Sequence, residues 1–346
     1  MSLRESYQSY FKMGAAIPGR IFKEEATLAH IVQEYDSITC ENDMKPMFLL
    51  DEARNCAQPE KYDRCPAVKF DTIERYMDFA REKGLGVRGH TLVWHNQTPR
   101  WFFAQGYSKE EDAPLTDRDT MLARLENYIR GVLEAIQKRW PGVIYVWDVV
   151  NEAIDNGGLR ESLWTKTVGE DFIIQAFRFA RKYADPNVKL FYNDYDTFVP
   201  WKRDVICESI LKPLLEEGLV DGMGMQAHLT METDLGEFEN SMKCFGALPL
   251  QVQITELDIH NADPSEASMD ALAERYEQLF RLFLDNKKEG KANVTGVTFW
   301  GLHDDITWLT FFRREKSYPL LFDGNLQPKK AYAAVVHAAE EAAAQK

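Results

Sequence analysis

An alternation constrains this chain more than any other feature. Eight short apolar or β-branched runs, at 12–17, 37–40, 87–94, 144–150, 189–192, 223–228, 251–259 and 294–301, end in polar residues. Helical-period stretches lie between them. TIERYMDFAREK (72–83) places Ile73, Met77 and Ala80 on one face, and 117–139 repeats Leu122, Leu125, Ile129, Val132, Leu133 and Ile136 behind a capping Thr116 or Asp117. The segments 172–183 and 269–286 behave likewise. Strands alternating with helices imply a parallel sheet covered by helices. Eight such units without a Gly-rich first turn predict an α/β fold of the closed kind, a single (β/α)8 TIM barrel spanning 1–346 as one catalytic domain. The turn-rich stretches 55–66 and 155–158 are too short to separate two domains.

Charge narrows the partners. Forty-one Lys and Arg against 55 Asp and Glu leave −14, a field that repels phosphate backbones and anionic lipid. Neither nucleic acid nor a membrane is therefore expected as a partner, and oligomeric state is left open. Five cysteines, at 40, 56, 65, 207 and 244, are odd in number and form no C-x-x-C, so reduced thiols are expected. The first twenty residues lack the apolar core of a signal peptide. A cytoplasmic protein is the expectation, with a secreted chain whose leader has been removed as the alternative.

In a (β/α)8 barrel the active site forms where strands end, and here those ends are polar. They offer Glu41, Asn42 and Lys45; His90, Trp94, His95 and Gln97; Asn151 and Glu152; Asn193, Asp194 and Tyr195; Gln226 and His228; Glu256 and Asp258; then Trp300, His303, Asp304 and Trp308. Glu256 sits inside the strand-like run QVQITELDI. A carboxylate buried in a strand costs several kcal/mol unless it is paired or functional. Glu152 and Glu256, on nearly opposite strands, face each other across the barrel mouth, which suits glycoside hydrolysis by one carboxylic acid and one carboxylate. Trp94, Trp300, Trp308 and Tyr195 supply flat faces for sugar C–H surfaces, and the Asn, Gln, Glu, Lys and His side chains supply hydroxyl partners.

The motifs Glu41-Asn42-Asp43-Met44-Lys45, HTLVWHNQTP from His90, WDVVNE ending at Glu152, YNDYD from Tyr192, GMQAH ending at His228, ITELD around Glu256 and TFWGLHDDITW ending at Trp308 resemble the family 10 glycoside hydrolases, which are endo-β-1,4-xylanases. The resemblance runs from about Gly14 to Tyr332. It implies a retaining enzyme with Glu152 as acid/base and Glu256 as nucleophile. It further implies that Glu41, Asn42, Lys45, His90, Trp94, Gln97, Asn151, Gln226, His228, Trp300 and Trp308 hold xylose on the non-reducing side of the cut, with Tyr195 under the leaving side. Thr307 replaces a frequent Ser, Ala227 replaces a frequent Gly, and the 304–318 segment with Arg313 and Arg314 differs from the family pattern.

The expected mechanism is double displacement. Glu256 attacks the anomeric carbon while Glu152 protonates the leaving oxygen; His228, oriented by Asp258, keeps Glu256 ionised, and Asn151 hydrogen-bonds the sugar 2-hydroxyl. No cofactor and no metal are expected. A metal-dependent hydrolase is disfavoured because His90 and His95, an odd number apart, would point to opposite faces of a strand. Gly222-x-Gly224-x-x-Ala227 loosely matches a dinucleotide fingerprint but lies at the start of a strand, not in the turn after one. A non-catalytic carbohydrate binder would not need both glutamates, and a β-1,4-glucanase of similar barrel is the runner-up.

Overall fold

A computed structural model describes residues 1–345. Eight parallel strands make the barrel: β1 (Lys12–Ile17), β2 (Ser37–Cys40), β3 (Gly86–Trp94), β4 (Ile144–Asn151), β5 (Lys189–Asp194), β6 (Gly222–Met225), β7 (Gln251–His260) and β8 (Asn293–Phe299). Each pairs with its sequence neighbour, and β8 pairs with both β7 and β1, so the sheet closes. Outside lie α1 (Glu25–Glu34), α2 (Glu74–Lys83), α3 (Arg118–Arg139), α4 (Phe172–Tyr183), the composite α5 (200–216), α6 (Leu235–Gly246), α7 (Glu266–Lys288) and α8 (Lys330–Ala344). The expected fold class is the one observed.

Most elements start where their sequence signals lie. Asp117 caps α3, its carboxylate accepting from the Thr120 amide. Helix α2 begins two residues later than its apolar period, because 71–73 form a turn. The 55–66 stretch, expected as a loop, carries parts of two short helices, Glu52–Ala57 and Pro59–Tyr62, and 155–158 is the bend of a small hairpin joining Ile154–Asp155 to Gly158–Leu159. The run 223–228 is not one strand. It breaks after Met225, since Ala227 takes φ 64°, and resumes as His228–Thr230, which pairs again with β7. No described helix is long and apolar enough to cross a membrane.

Polar groups occupy part of the barrel interior. Arg88 and His90, two apart on β3, both point inward. The Arg88 guanidinium makes a bidentate pair with Asp148 of β4 and donates to Gln253 of β7 at 2.8 Å. All three side chains are buried. The glycines at 222 and 224 are close-approach residues: a Cβ at Gly222 would strike the Phe191 ring, and one at Gly224 would strike Asn193 Oδ1. This packing, and not a phosphate-binding turn, accounts for the G-x-G pattern. An N-terminal segment straps the seam between the first and last units. Tyr7 donates to the Val335 carbonyl in α8 at 2.7 Å, and Glu34 of α1 accepts from the Leu3 amide at 3.0 Å.

Candidate active site

The mouth of the barrel gathers side chains from β2 through β8. Glu152 follows directly after β4, at φ 56°, in the left-handed region that costs a non-glycine residue roughly 1–2 kcal/mol. Its conformation is held from several sides. The Glu152 amide donates to the Asn193 carbonyl at 2.9 Å, while its own carbonyl accepts from Arg160 Nε at 3.1 Å. The carboxylate receives Trp94 Nε1 on Oε2 and Gln226 Nε2 on Oε1, both at 2.9 Å.

Glu256 lies within β7, whose register to β8 slips between Ile254 and Leu257. That irregularity lets the adjacent Thr255 and Glu256 both reach Asn193 of β5. Thr255 Oγ1 donates to Asn193 Oδ1 at 2.6 Å, and Asn193 Nδ2 donates to Glu256 Oε1 and to Asn151 Oδ1, each at 2.9 Å. Gln226 Nε2 also approaches Asn151 Oδ1, at 3.2 Å. The two glutamates are thus tied into one network through Gln226, Asn151 and Asn193. Asn151 spends its acceptor on that network and keeps its Nδ2 donor for a ligand.

The second oxygen of Glu256 faces His228 Nε2 at 3.2 Å, and His228 Nδ1 faces Asp258 Oδ1 at 2.9 Å. Trp308 Nε1 completes Asp258 at 2.8 Å. Burial disfavours a charged imidazole, but the Asp258 and Glu256 carboxylates outweigh it and push His228 up to about 10. Burial likewise acts to raise Glu256; the hydrogen bond from His228 and the charges of His90, His228 and Lys45 prevail and hold it below the usual carboxylate range. His90 Nε2 stands 4.0 Å from Glu256 Oε1, and its Nδ1 is anchored on Asp148 at 2.9 Å.

On the β2–β3 side, Lys45 Nζ donates to Asn42 Oδ1 at 2.9 Å and lies 4.8 Å from the centre of the Trp94 ring. Gln97, at φ 48°, donates to Asn42 at 3.3 Å, and Asn42 reaches Glu41 at 3.5 Å. Burial lowers Lys45, opposed by Glu256, Glu41 and Glu152, which places all three acids around one ammonium. Trp300 is buried with its ring edge-on to His90 and His228, at 5.4 and 6.4 Å. Tyr195 stands on the opposite side, its hydroxyl held by Arg160 at 2.8 Å and Lys202 under its ring at 3.3 Å. Lys202 also pairs with Asp194 at 2.8 Å; burial lifts that carboxyl to about 6 against the pull of Lys202 and Tyr192.

All fifteen residues singled out for the site are therefore brought to one face of the barrel. Asn193, Thr255, Asp148, Arg88 and Arg160 were not among them, yet they position those that were. Asp148 and Arg88 had a readable signal, a charged residue inside an apolar strand; Asn193 had only its place at a strand end. His260 and His303 lie apart from this network, His260 between Ser317 and Glu315. The one group at metal-ligand spacing among the described residues, Glu277, His337 and Glu341, sits on α7 and α8 and is bridged by Arg281.

This geometry has relatives. Residues 2–338 match the sequence pattern of glycosyl hydrolase family 10. Endo-1,4-beta-xylanase B of Butyrivibrio fibrisolvens is 54% identical over 340 residues, covering 98% of this chain; the chain spans only 53% of that protein's length. Endo-1,4-beta-xylanase B of Paenibacillus barcinonensis is 37% identical, with 96% of each chain covered. Among solved structures, the CBM22-1–GH10 modules of Clostridium thermocellum xylanase 10B, complexed with xylohexaose, superpose with a TM-score of 0.89 at 34% identity, covering 97% of this chain and 67% of that one. Sequence pattern, barrel and relatives agree, and the chain belongs to glycosyl hydrolase family 10.

Proposed function

We propose that this chain is a retaining endo-β-1,4-xylanase, cleaving internal xylosidic bonds of xylan or xylo-oligosaccharides through a covalent glycosyl-enzyme. The observation that carries the reading is the asymmetry of the two glutamates within one hydrogen-bonded network. Glu256 faces a cationic imidazole and is held as a carboxylate, ready to attack the anomeric carbon. Glu152 shares the Lys45 ammonium with Glu256 but takes its hydrogen bonds from neutral donors alone, Trp94 and Gln226, and delivers its proton to the leaving oxygen. Once Glu256 is esterified its negative charge is gone, and Glu152 takes a proton from the attacking water. Asn151 Nδ2 meets the 2-hydroxyl, a contact that strengthens as the anomeric carbon gains positive charge. The xylanase names of the relatives and the xylohexaose in one of their structures support the substrate class.

Glu256→Ala supplies the test. It loses nearly all activity, and added azide partly restores turnover by forming a glycosyl azide of inverted configuration. A folded Glu256→Ala protein that azide fails to rescue would remove Glu256 from the nucleophile role. Product analysis on xylohexaose beside cellohexaose decides between xylanase and glucanase.

A further inference from the structure

The cleft continues past Trp308. The short helix Trp308–Arg313 carries two large apolar side chains with unusual exposure, Phe311 at 90% and Phe312 at 63%. A single exposed ring needs no explanation; two adjacent rings on the lip of a groove mark a binding surface. Phe312 is not loose. Its ring centre lies 4.7 Å from that of Trp308, tilted by 42°, and Trp308 is itself fixed by Asp258 and packed edge-on to His228 at 4.9 Å.

The groove holds about 880 Å³, within the size range of ligand sites, and Glu41 and Arg20 also line it. Glu41 and Trp308 belong to the sugar-binding set described above, so the groove continues the cleft on the non-reducing side. Its rim carries donors. The Arg314 backbone, at φ 59°, closes the helix on the Phe311 carbonyl, while its guanidinium makes no hydrogen bond or ion pair among the described residues; Arg20 is close enough to counter the burial that raises Glu41. Flat apolar rings with hydroxyl donors around them are the chemistry of a sugar face. A protein partner fits less well, because two rings fall far short of the roughly 800 Å² per side that a stable interface buries.

We infer that Phe312, with Phe311 beside it and Arg20 and Arg314 at the rim, is a sugar platform that seats a further xylose unit beyond the shared motif set. The inference rests on the xylanase reading and extends it to substrate length. It belongs to the 304–318 segment, where this sequence departs from the family pattern.

The experiment compares kcat/KM on xylotriose and xylohexaose for the wild type, Phe312→Ala, the Phe311→Ala/Phe312→Ala pair and Phe312→Tyr. In the double variant the hexaose-to-triose ratio falls roughly ten-fold, mainly through KM, as expected for one lost stacking surface. The positions of cleavage along xylohexaose shift as well, while Phe312→Tyr keeps the wild-type ratio. An unchanged ratio and cleavage pattern in the double variant overturn the platform and leave the xylanase reading standing. If sedimentation shows a wild-type dimer that the double variant dissolves with no change in ratio, the groove is an interface between copies and the platform is likewise overturned. A wild type that cleaves neither oligosaccharide removes both readings.

Discussion

At the scale of single residues, His228 decides the ionisation of the site. Changing His228 to Ala leaves Glu256 and Asp258 as buried carboxylates without their shared cation, an arrangement that typically costs about 3–5 kcal/mol. Without the imidazolium, burial wins at Glu256 and its carboxyl rises. The acid limb of the kcat/KM profile then moves to higher pH, a shift that initial-rate measurements across pH would detect; an unmoved limb would deny His228 this role. Ala227 offers a second case. At φ 64° it pays for a conformation that glycine adopts freely. Ala227→Gly is expected to leave stability unchanged or raise it by up to about 1 kcal/mol, because relieved backbone strain competes with added freedom of the unfolded chain. Urea denaturation reads this directly, and a clear loss of stability would contradict it. The difference from the family at this position was legible in the sequence as a letter, but its left-handed backbone was not. The same holds for Glu152 and Gln97, whose torsions are imposed by tertiary contacts and not by local preference.

At the scale of elements, the strands were read more closely than the joints between them. β1 and β2 coincide with their apolar runs although those runs are short, because strand length and alternation are set locally. The break in 223–228 and the slip in β7 were not legible: one lies in the left-handed backbone at Ala227 and the other in the register of β7 against β8, and neither is a property of the apolar pattern. Asn193 was visible only as a polar strand end and was given no role for a related reason, since its importance lies in which residues β4 and β7 bring against it. Glycine 224 exposes this dependence. Gly224→Ala drives a methyl into Asn193 Oδ1, and overpacking of this kind typically costs about 1–3 kcal/mol. The displaced amide also loosens Glu256 and Asn151, so kcat falls by more than the lost stability explains. Gly236→Ala on α6, where the nearest contact is Asp234 Oδ1 at 3.1 Å, serves as the comparison; equal losses of kcat in the two variants would argue against the steric account.

At the scale of the molecule, the site couples to folding through proton linkage. His228 titrates near its ordinary value of about 6.5 in the unfolded chain and at about 10 in the folded one. Its contribution is thus fully present below about pH 6.5 and is lost as pH rises toward 10. Thermal melting at pH 6, 8 and 10 should show stability declining across that interval, with a shallower decline in His228→Gln. A wild-type slope no steeper than that of the variant would refute the linkage. The buried Arg88–Asp148 pair belongs to this scale too, since it joins β3 and β4 and reaches β7 through Gln253. Arg88→Ala strands Asp148 in the barrel interior, and chemical denaturation should show a loss of about 3–5 kcal/mol.

The hydrogen bonds that run from Glu152 to Glu256 pass through β5 and β6, and this has a consequence for recombination. A chimaera joined between β4 and β5 takes Glu152 and Asn151 from one parent and the amides that tie them to Glu256, Asn193 and Gln226, from the other. Such a hybrid can close its barrel and still hold its two acids out of alignment. Family shuffling should therefore keep the units from β4 to β7 together as an inherited block and place crossovers nearer the β8–β1 seam.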